Sequence, residues 1–437
     1  MDNIVIIADD LTGAADTAVQ FCLYFDDTTL VSYQKWDRTL QPTRPSSTRA
    51  TAIYTNSRAL GVDQARRRLI SVTHGLVEVK ALRIYKKIDS CMRGNVGAES
   101  DALLDQLGYA ASFITPAFPE MGRTTLEDTH RIHGLPLDQT EISQDPVTPV
   151  TESSLTRIVA LQSRYPVGHV GLAFLENNHH RLIAEIERQL KSGVRHIVFD
   201  ATKRFHLDRI ARSIFALEGK IFPVGSAGLA GSIAKLLTAK PDSVEPARMM
   251  APDGFNLLVC GTASAVTGQQ IEELLQKFSY EIIELNPAML ADPDRKGEFS
   301  ETVSSTRTRL TQKNVILTIK SQQNSSIIHR QTNFPPTAVS IVSGLGFFVA
   351  EVVADTKPGH LFLTGGDTAD AVLTAVEAEG MRILGEIVAG VVQGVIIGGL
   401  LAGLPVVTKA GGFGQNETLV AVHEFWQRMR KGSYSRF

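Results

Sequence analysis

Short apolar strands alternate with helical stretches along the whole chain, and this alternation restricts the fold more than any other feature. Candidate strands are NIVIIA (3–8), TAIYTN (51–56), LRIYKKI (82–88), SFITPAF (112–118), HIVFDA (196–201) and IFPVG (221–225). Later ones are NLLVCG (256–261), EIIELN (281–286), NVILTIK (314–320), HLFLTGG (360–366) and LPVVTKAGG (404–412). Helical patterns lie between them, as in DQARRRLISVTHGLVEV (63–79) and AVTGQQIEELLQKF (265–278). A β-branched run such as NIVIIA suits a strand covered on both faces. Strand–helix alternation of this kind predicts α/β layers with largely parallel sheets. One stretch breaks the rhythm. TAKPDSVEPARMMAPDG (238–254) is rich in Pro, Asp and Ala and has no apolar period. It is expected to link two α/β domains, 1–237 and 255–437. A second irregular stretch, 116–150, carries five prolines and is expected to contain functional loops. Residues 36–50 have the composition of a surface loop.

The totals exclude several classes. A chain of 437 residues can bury a core in each of two domains. A formal net charge of −2 argues against a nucleic-acid or membrane-surface protein. No uninterrupted apolar run approaches the ~18 residues of a membrane span. The N-terminus enters a strand directly, without the flanks of a signal peptide. Cys22, Cys91 and Cys260 lie far apart with no metal spacing and fit a reducing cytoplasm.

In the first half, polar groups follow strands. After NIVIIA come Asp9, Asp10 and Thr12. Ser57 and Arg58 follow TAIYTN. Lys87, Asp89, Ser90, Arg93 and Asn95 cluster at the end of LRIYKKI. Parallel neighbours would gather these groups along one sheet edge, where open α/β sheets bind ligands. The set suits a small polyhydroxy acid: Arg can hold a carboxylate with two parallel bonds, and Asp accepts from hydroxyls. One Asp is explained by capping the helix that begins near Gly13. The second is not needed for that. Surface ion pairing is the plainer account of Lys87 and Arg93 taken singly.

In the second half, Gly-rich turns follow strands: GTASAVTGQQ (261–270), TGGDTADAV (364–372) and TKAGGFGQNETL (408–419). Glycine lets a backbone approach a ligand, and a helix N-terminus offers N–H groups to phosphate. Gly-Gly-Asp-Thr would hold phosphate on its amides, with Asp367 reaching Mg²⁺ directly or through water. Any one such turn is equally a simple turn. No P-loop is present. The G-x-G in SGLGFFVAEV (343–352) lies in a helical pattern and is no dinucleotide fingerprint. His130 and His133, with Glu127 and Asp128, read as loop histidines rather than a metal site.

Taken together, IADDLTGAADTAVQF, TNSR, YKKIDSCMRGNVGAE, PAFPEMGRTT, the DP..P spacing at 145–149, LFLTGGDTADAV and VVTKAGGFG resemble the four-carbon acid-sugar kinases. The resemblance spans nearly the whole chain. It implies an N-terminal sugar-acid-binding domain and a C-terminal nucleotide-binding domain. It places the acid on Asp10, Arg58 and Lys87-Ile88-Asp89-Ser90, and ATP on Ser264, Gly365-Gly366-Asp367-Thr368, Gly411 and Gly412. Departures from the family pattern occur at Asn56, at Ser90-Cys91-Met92 and at IVAGVVQGV (387–395). The first two lie near the acid site.

The expectation is therefore an ATP-dependent kinase, with Mg²⁺ carried by the nucleotide, acting on the terminal hydroxyl of a four-carbon sugar acid. D-threonate is the first choice and D-erythronate the second. The active site is expected in the interdomain cleft. Asp10 is the expected base, Asp9 the fallback, and Arg93 joins the acid-binding set. No resident metal site, nucleic acid or membrane partner is expected, and a homodimer is the expected assembly. The rivals are a non-catalytic sensor of acid and nucleotide, and a metal-dependent aldolase or hydrolase built on His130 and His133.

Overall fold

The computed structural model describes residues 3–36, 48–76, 82–145, 147–217, 221–237, 253–262, 264–292, 295–320 and 337–430. The chain divides into two units, Met1–Val244 and Glu245–Phe437. Most of the expected linker, 238–252, and most of the expected loop at 36–50 lie outside the described residues.

The first unit is built on a parallel sheet. Its strands are β1 (Asn3–Ala8), β2 (Asp27–Ser32), β3 (Arg49–Tyr54), β4 (Leu82–Lys87), β5 (Ala111–Thr115), β9 (Val167–Val170), β10 (His196–Phe199) and β11 (Ile221–Gly225). They run in the order β2-β3-β1-β4-β11-β5-β10-β9, every pairing parallel. Ile4 to Ala8 are all buried, as a strand covered on both faces requires. The helix Leu11–Cys22 follows β1 and turns Leu11, Ala14, Ala15, Ala18 and Phe21 inward. The stretch expected to be irregular contains an antiparallel sheet. It comprises β6 (Arg123–Leu126), β7 (Thr129–Ile132) and β8 (Leu135–Pro136). Turn residues Glu127, Asp128 and His133 take positive φ to connect these short strands. His130 is therefore a buried strand residue and not a loop residue.

The second unit contains β12 (Asn256–Cys260), β13 (Tyr280–Leu285), β14 (Asn314–Ile319), β15 (His360–Thr364), β16 (Gly380–Val388), β17 (Val391–Ile397) and β18 (Pro405–Lys409). The order β13-β14-β12-β15-β18 is parallel, and β17 and β16 continue it antiparallel. The helix Ala338–Asp355 is long and apolar enough to cross a membrane by length and composition, which the sequence reading did not anticipate. It packs as a core helix: Leu345, Phe348, Val349, Val352 and Val353 are buried. The glycines of its G-x-G bring it against main chain, Gly344 at Leu290 and Gly346 at Ala371. They serve packing and bind no dinucleotide turn.

Candidate functional site

In the first unit, β3, β1 and β4 are neighbours, and Ala8 pairs with both Tyr54 and Lys87. Their ends therefore fall side by side, and the polar groups predicted to meet do meet. Asp10 is the N-cap of Leu11–Cys22, its Oδ1 accepting from Gly13 N at 3.0 Å. Its Oδ2 accepts from Thr12 Oγ1 at 2.7 Å. Arg58 bridges the two adjacent carboxylates. Nε and Nη2 donate to Asp9 at 2.8 and 3.0 Å, while Nη2 and Nη1 donate to Asp10 at 2.6 and 3.1 Å. The second aspartate is thus the other half of an arginine clamp.

The pair is not symmetric. The Asp9 side chain is 4% exposed and Asp10 16%, so Asp10 is the one open to a ligand. Burial would raise the Asp9 carboxyl. The Arg58 charge and hydrogen bonds, with Lys86 and Lys87 adding, outweigh that and hold it below its usual value. Lys87 is buried, its Nζ donating to Ile88 O at 2.8 Å. A Cβ at Gly13 would lie 2.8 Å from that Nζ and would meet Asp10 Oδ1. Only glycine leaves room there for the carboxylate and the ammonium together.

Asp89 pairs with Arg93, whose Nε and Nη2 donate at 2.8 and 3.2 Å. Burial raises the Asp89 carboxyl, and the Arg93 and Arg58 charges more than offset this, leaving it well below the carboxylate range. Arg93 Nη1 continues to Asp145 at 3.2 Å, and Asp145 caps Val147 N and Thr148 N. Ser90 contributes its carbonyl to His130 Nε2 at 2.8 Å, and His130 Nδ1 meets Thr125 Oγ1 at 2.9 Å. Burial lowers the His130 pKa to about 4, so the ring is a neutral brace. Among the described residues, no three His, Cys, Asp or Glu side chains converge in a metal-binding group. A cavity of about 430 Å³ adjoins Arg58, lined also by Gly94, Asn95, Thr148, Thr151 and Gln162.

Three contributors were missed in the sequence. Lys86 and Glu99 form a buried ion pair at 2.6 Å, and Ser57 Oγ donates to the same Glu99 at 2.5 Å, fixing the loop that carries Arg58. Lys86 precedes Lys87, and β-strand alternation sends the two ammoniums to opposite faces. Asp16, one helical turn beyond Gly13, is the third. Burial raises its pKa to about 6, with Lys87 opposing and Asp10 adding.

In the second unit the ends of β12, β15 and β18 are adjacent, with Cys260 opposite Thr364 and Thr364 opposite Lys409. Ser264 is the N-cap of Ala265–Lys277 and makes no side-chain cap bond. Gly365 has φ 97°, a conformation glycine adopts readily, and its N–H donates to Lys409 O at 2.9 Å. Gly366 opens the helix Gly366–Ala375, whose N-cap Gly365 has no side chain to cap it; the first amides of a helix have no intrahelical acceptor. Asp367 is exposed in that first turn and Thr368 is buried beneath it. A Cβ at Gly411 would lie 2.6 Å from Thr262 Oγ1, while open space surrounds the Cβ position of Gly412. These turns are suited to an anion held on main-chain N–H groups.

The chain matches a sugar-binding N-terminal domain over residues 4–233 and a nucleotide-binding C-terminal domain over residues 257–419. It belongs to the four-carbon acid-sugar kinase family. Relatives in that family include a D-threonate kinase of Salmonella typhimurium LT2, 32% identical over 95% of this chain and 96% of its own. A D-erythronate kinase of Heliobacterium modesticaldum is 29% identical over 95% of both chains. A 3-oxo-tetronate kinase of Methylobacterium radiotolerans is 26% identical over 88% of this chain and 90% of its own. The fold recurs in a Haemophilus influenzae protein of the domain family DUF1537, with TM-score 0.71 and 20% identity over 97% of this chain and all of that one. A Salmonella typhimurium LT2 structure matches with TM-score 0.77 at 20% identity, over 97% of this chain and 100% of that chain.

Proposed function

We propose that this kinase transfers the γ-phosphoryl group of ATP to the terminal hydroxyl of a four-carbon sugar acid, D-threonate first and D-erythronate second. The products are the 4-phospho acid and ADP. The observation that carries the proposal is the clamp at the sheet edge: Arg58 fixes Asp9 and Asp10, and Asp10 is the more open. Phosphoryl transfer asks mainly for positioning and charge neutralisation. Asp10 is the group we assign to orient the attacking hydroxyl and take its proton. Asp9 braces it through Arg58. The acid falls to residues 1–237, on Arg58, Lys87–Ser90 and Arg93. ATP falls to residues 255–437, on Ser264, Gly365–Thr368, Gly411 and Gly412.

The exposed Asp367 carboxylate, in the first turn of a helix whose amides suit phosphate, fits the Mg²⁺ that a nucleotide brings. The ion would neutralise phosphate charge. We assign the protein to the cytoplasm, a compartment that suits three buried cysteines, none of them in a disulfide. A homodimer is the assembly we propose, to be read by light scattering.

The test is ADP release with Mg-ATP and each of D- and L-threonate, D- and L-erythronate and the 3-oxo acids. D-threonate should show the highest kcat/KM. No turnover of any acid, with both ligands bound, would favour a sensor.

A further inference from the structure

Lys409 ends β18 and is 1% exposed, and among the described residues no carboxylate pairs with it. An ammonium buried without a counter-ion is costly unless its N–H groups are satisfied. Here main-chain carbonyls of the following loop satisfy them. Nζ donates to Ala410 O at 3.0 Å, Gly411 O at 3.2 Å and Phe413 O at 3.0 Å. Thr267 Oγ1 stands 3.5 Å away and donates to Gly411 O at 2.9 Å. Gln270 Nε2 donates to Phe413 O at 3.0 Å from the same helix.

This inward set of carbonyls has a geometric consequence. In a trans peptide the C=O of one residue and the N–H of the next point in opposite directions. Carbonyls 410, 411 and 413 drawn to the ammonium therefore turn the N–H groups of Gly411, Gly412 and Gly414 away from it. None of the three donates to a partner among the described residues.

We propose that Lys409 is a positioning residue for the nucleotide: its ammonium gathers the carbonyls of the 410–414 loop so that the amides of Gly411, Gly412 and Gly414 face outward as a phosphate cradle. The proposal rests on the nucleotide reading of this unit. The lysine does not touch phosphate. It acts through the loop, and its charge strengthens the three bonds. The titratable group facing it is Cys260 on β12, and the helix Ala265–Lys277 presents the neutral Thr267 and Gln270 there. Burial lowers the Lys409 pKa to about 8, with Cys260 opposing, so the charge is lost as pH rises through that value.

The test compares wild type, Lys409→Met and Gly366→Val by calorimetric titration with ATP and with D-threonate, and by amide exchange. Lys409→Met should weaken ATP at least ~10-fold, leave D-threonate within about twofold, and speed exchange at 411–414. Wild type should lose ATP affinity several-fold between about pH 7.5 and 9.5, with D-threonate affinity flat. A folded Lys409→Met that keeps ATP affinity, while Gly366→Val has lost it, overturns the role of Lys409 and leaves the nucleotide reading standing. Full ATP affinity in both variants overturns the nucleotide reading and the proposal with it. Where Lys409→Met does not fold, amide exchange of the wild type decides: exchange at 411, 412 and 414 should slow when ATP binds, and exchange there that ATP leaves unchanged overturns the proposal.

Discussion

Asp10 does two jobs with one carboxylate. It caps the helix at Gly13 N and completes the Arg58 clamp. An Asn there keeps one oxygen for the cap but turns an NH₂ towards Arg58 or Thr12 and cannot accept a proton. Asp10→Asn should lower kcat ~10²–10⁴-fold with a smaller change in acid affinity, read by steady-state kinetics. Asp9→Asn should cost less, and the reverse ranking would exchange their roles. Arg58→Ala removes charge-assisted bonds worth roughly 1.5–3 kcal/mol each. It should weaken the acid ~10-fold or more and lower kcat through the loosened Asp10, with ATP affinity unchanged. Equal loss of both affinities would sink that assignment. At this scale the sequence shows where polar residues crowd strand ends, so the meeting of Asp9, Asp10, Arg58 and Asp89 at one sheet edge was legible. It does not show which partner a buried charge finds. Glu99 lies 42 positions from the Ser57 it bonds, and Lys409 is satisfied by carbonyls that no residue type betrays.

The helix Leu11–Cys22 carries a stability cost that its cap does not reveal. Burial lifts the Asp16 carboxyl from the ordinary aspartate value of 3.8 to about 6 in the folded chain. The native state therefore holds this proton more tightly than the unfolded chain. That contribution is complete below about 3.8 and is lost as pH rises through about 6, so at pH 8 the ionised Asp16 costs roughly 1–3 kcal/mol. Asp16→Asn should raise the Tm at pH 8, with the gain shrinking towards pH 5. An unchanged Tm at pH 8 would show that its carboxylate is well solvated. The strands flanking such helices were legible because short, largely apolar runs between helical stretches have few other uses, and β1 and β11 match their expected segments. β2 was missed because four of the six residues in DTTLVS are polar, its threonines buried only by tertiary packing. β16 and β17 were missed because their pairing shifts register at Ile383/Gly385 and Glu386/Val388, which erases simple alternation.

Each unit carries its own apolar core. One is built around Val5, Ile53, Ile84 and Phe222, the other around Leu258, Ile316, Phe362 and Trp426. A largely parallel sheet in each carries different groups at its strand ends, carboxylates and arginines in one and glycine-rich turns in the other. This predicts ligand effects that separate by unit. A ligand at ~100 times its Kd adds about 2.7 kcal/mol to the state it binds. For a body of 150–250 residues each kcal/mol moves Tm by about 2–4 °C. In scanning calorimetry, D-threonate should therefore raise the melting of Met1–Val244 by roughly 5–10 °C, and ATP that of Glu245–Phe437 by a similar amount. Two substitutions assign the shifts. Arg58→Ala should abolish the response to D-threonate and keep that to ATP. Gly366→Val, whose side chain blocks phosphate from the first amides of its helix, should do the reverse. If Gly366→Val loses both responses while its unliganded melt is unchanged, acid and nucleotide are not held by separate units. If it keeps the ATP response, the Gly365–Thr368 turn is not the phosphate site.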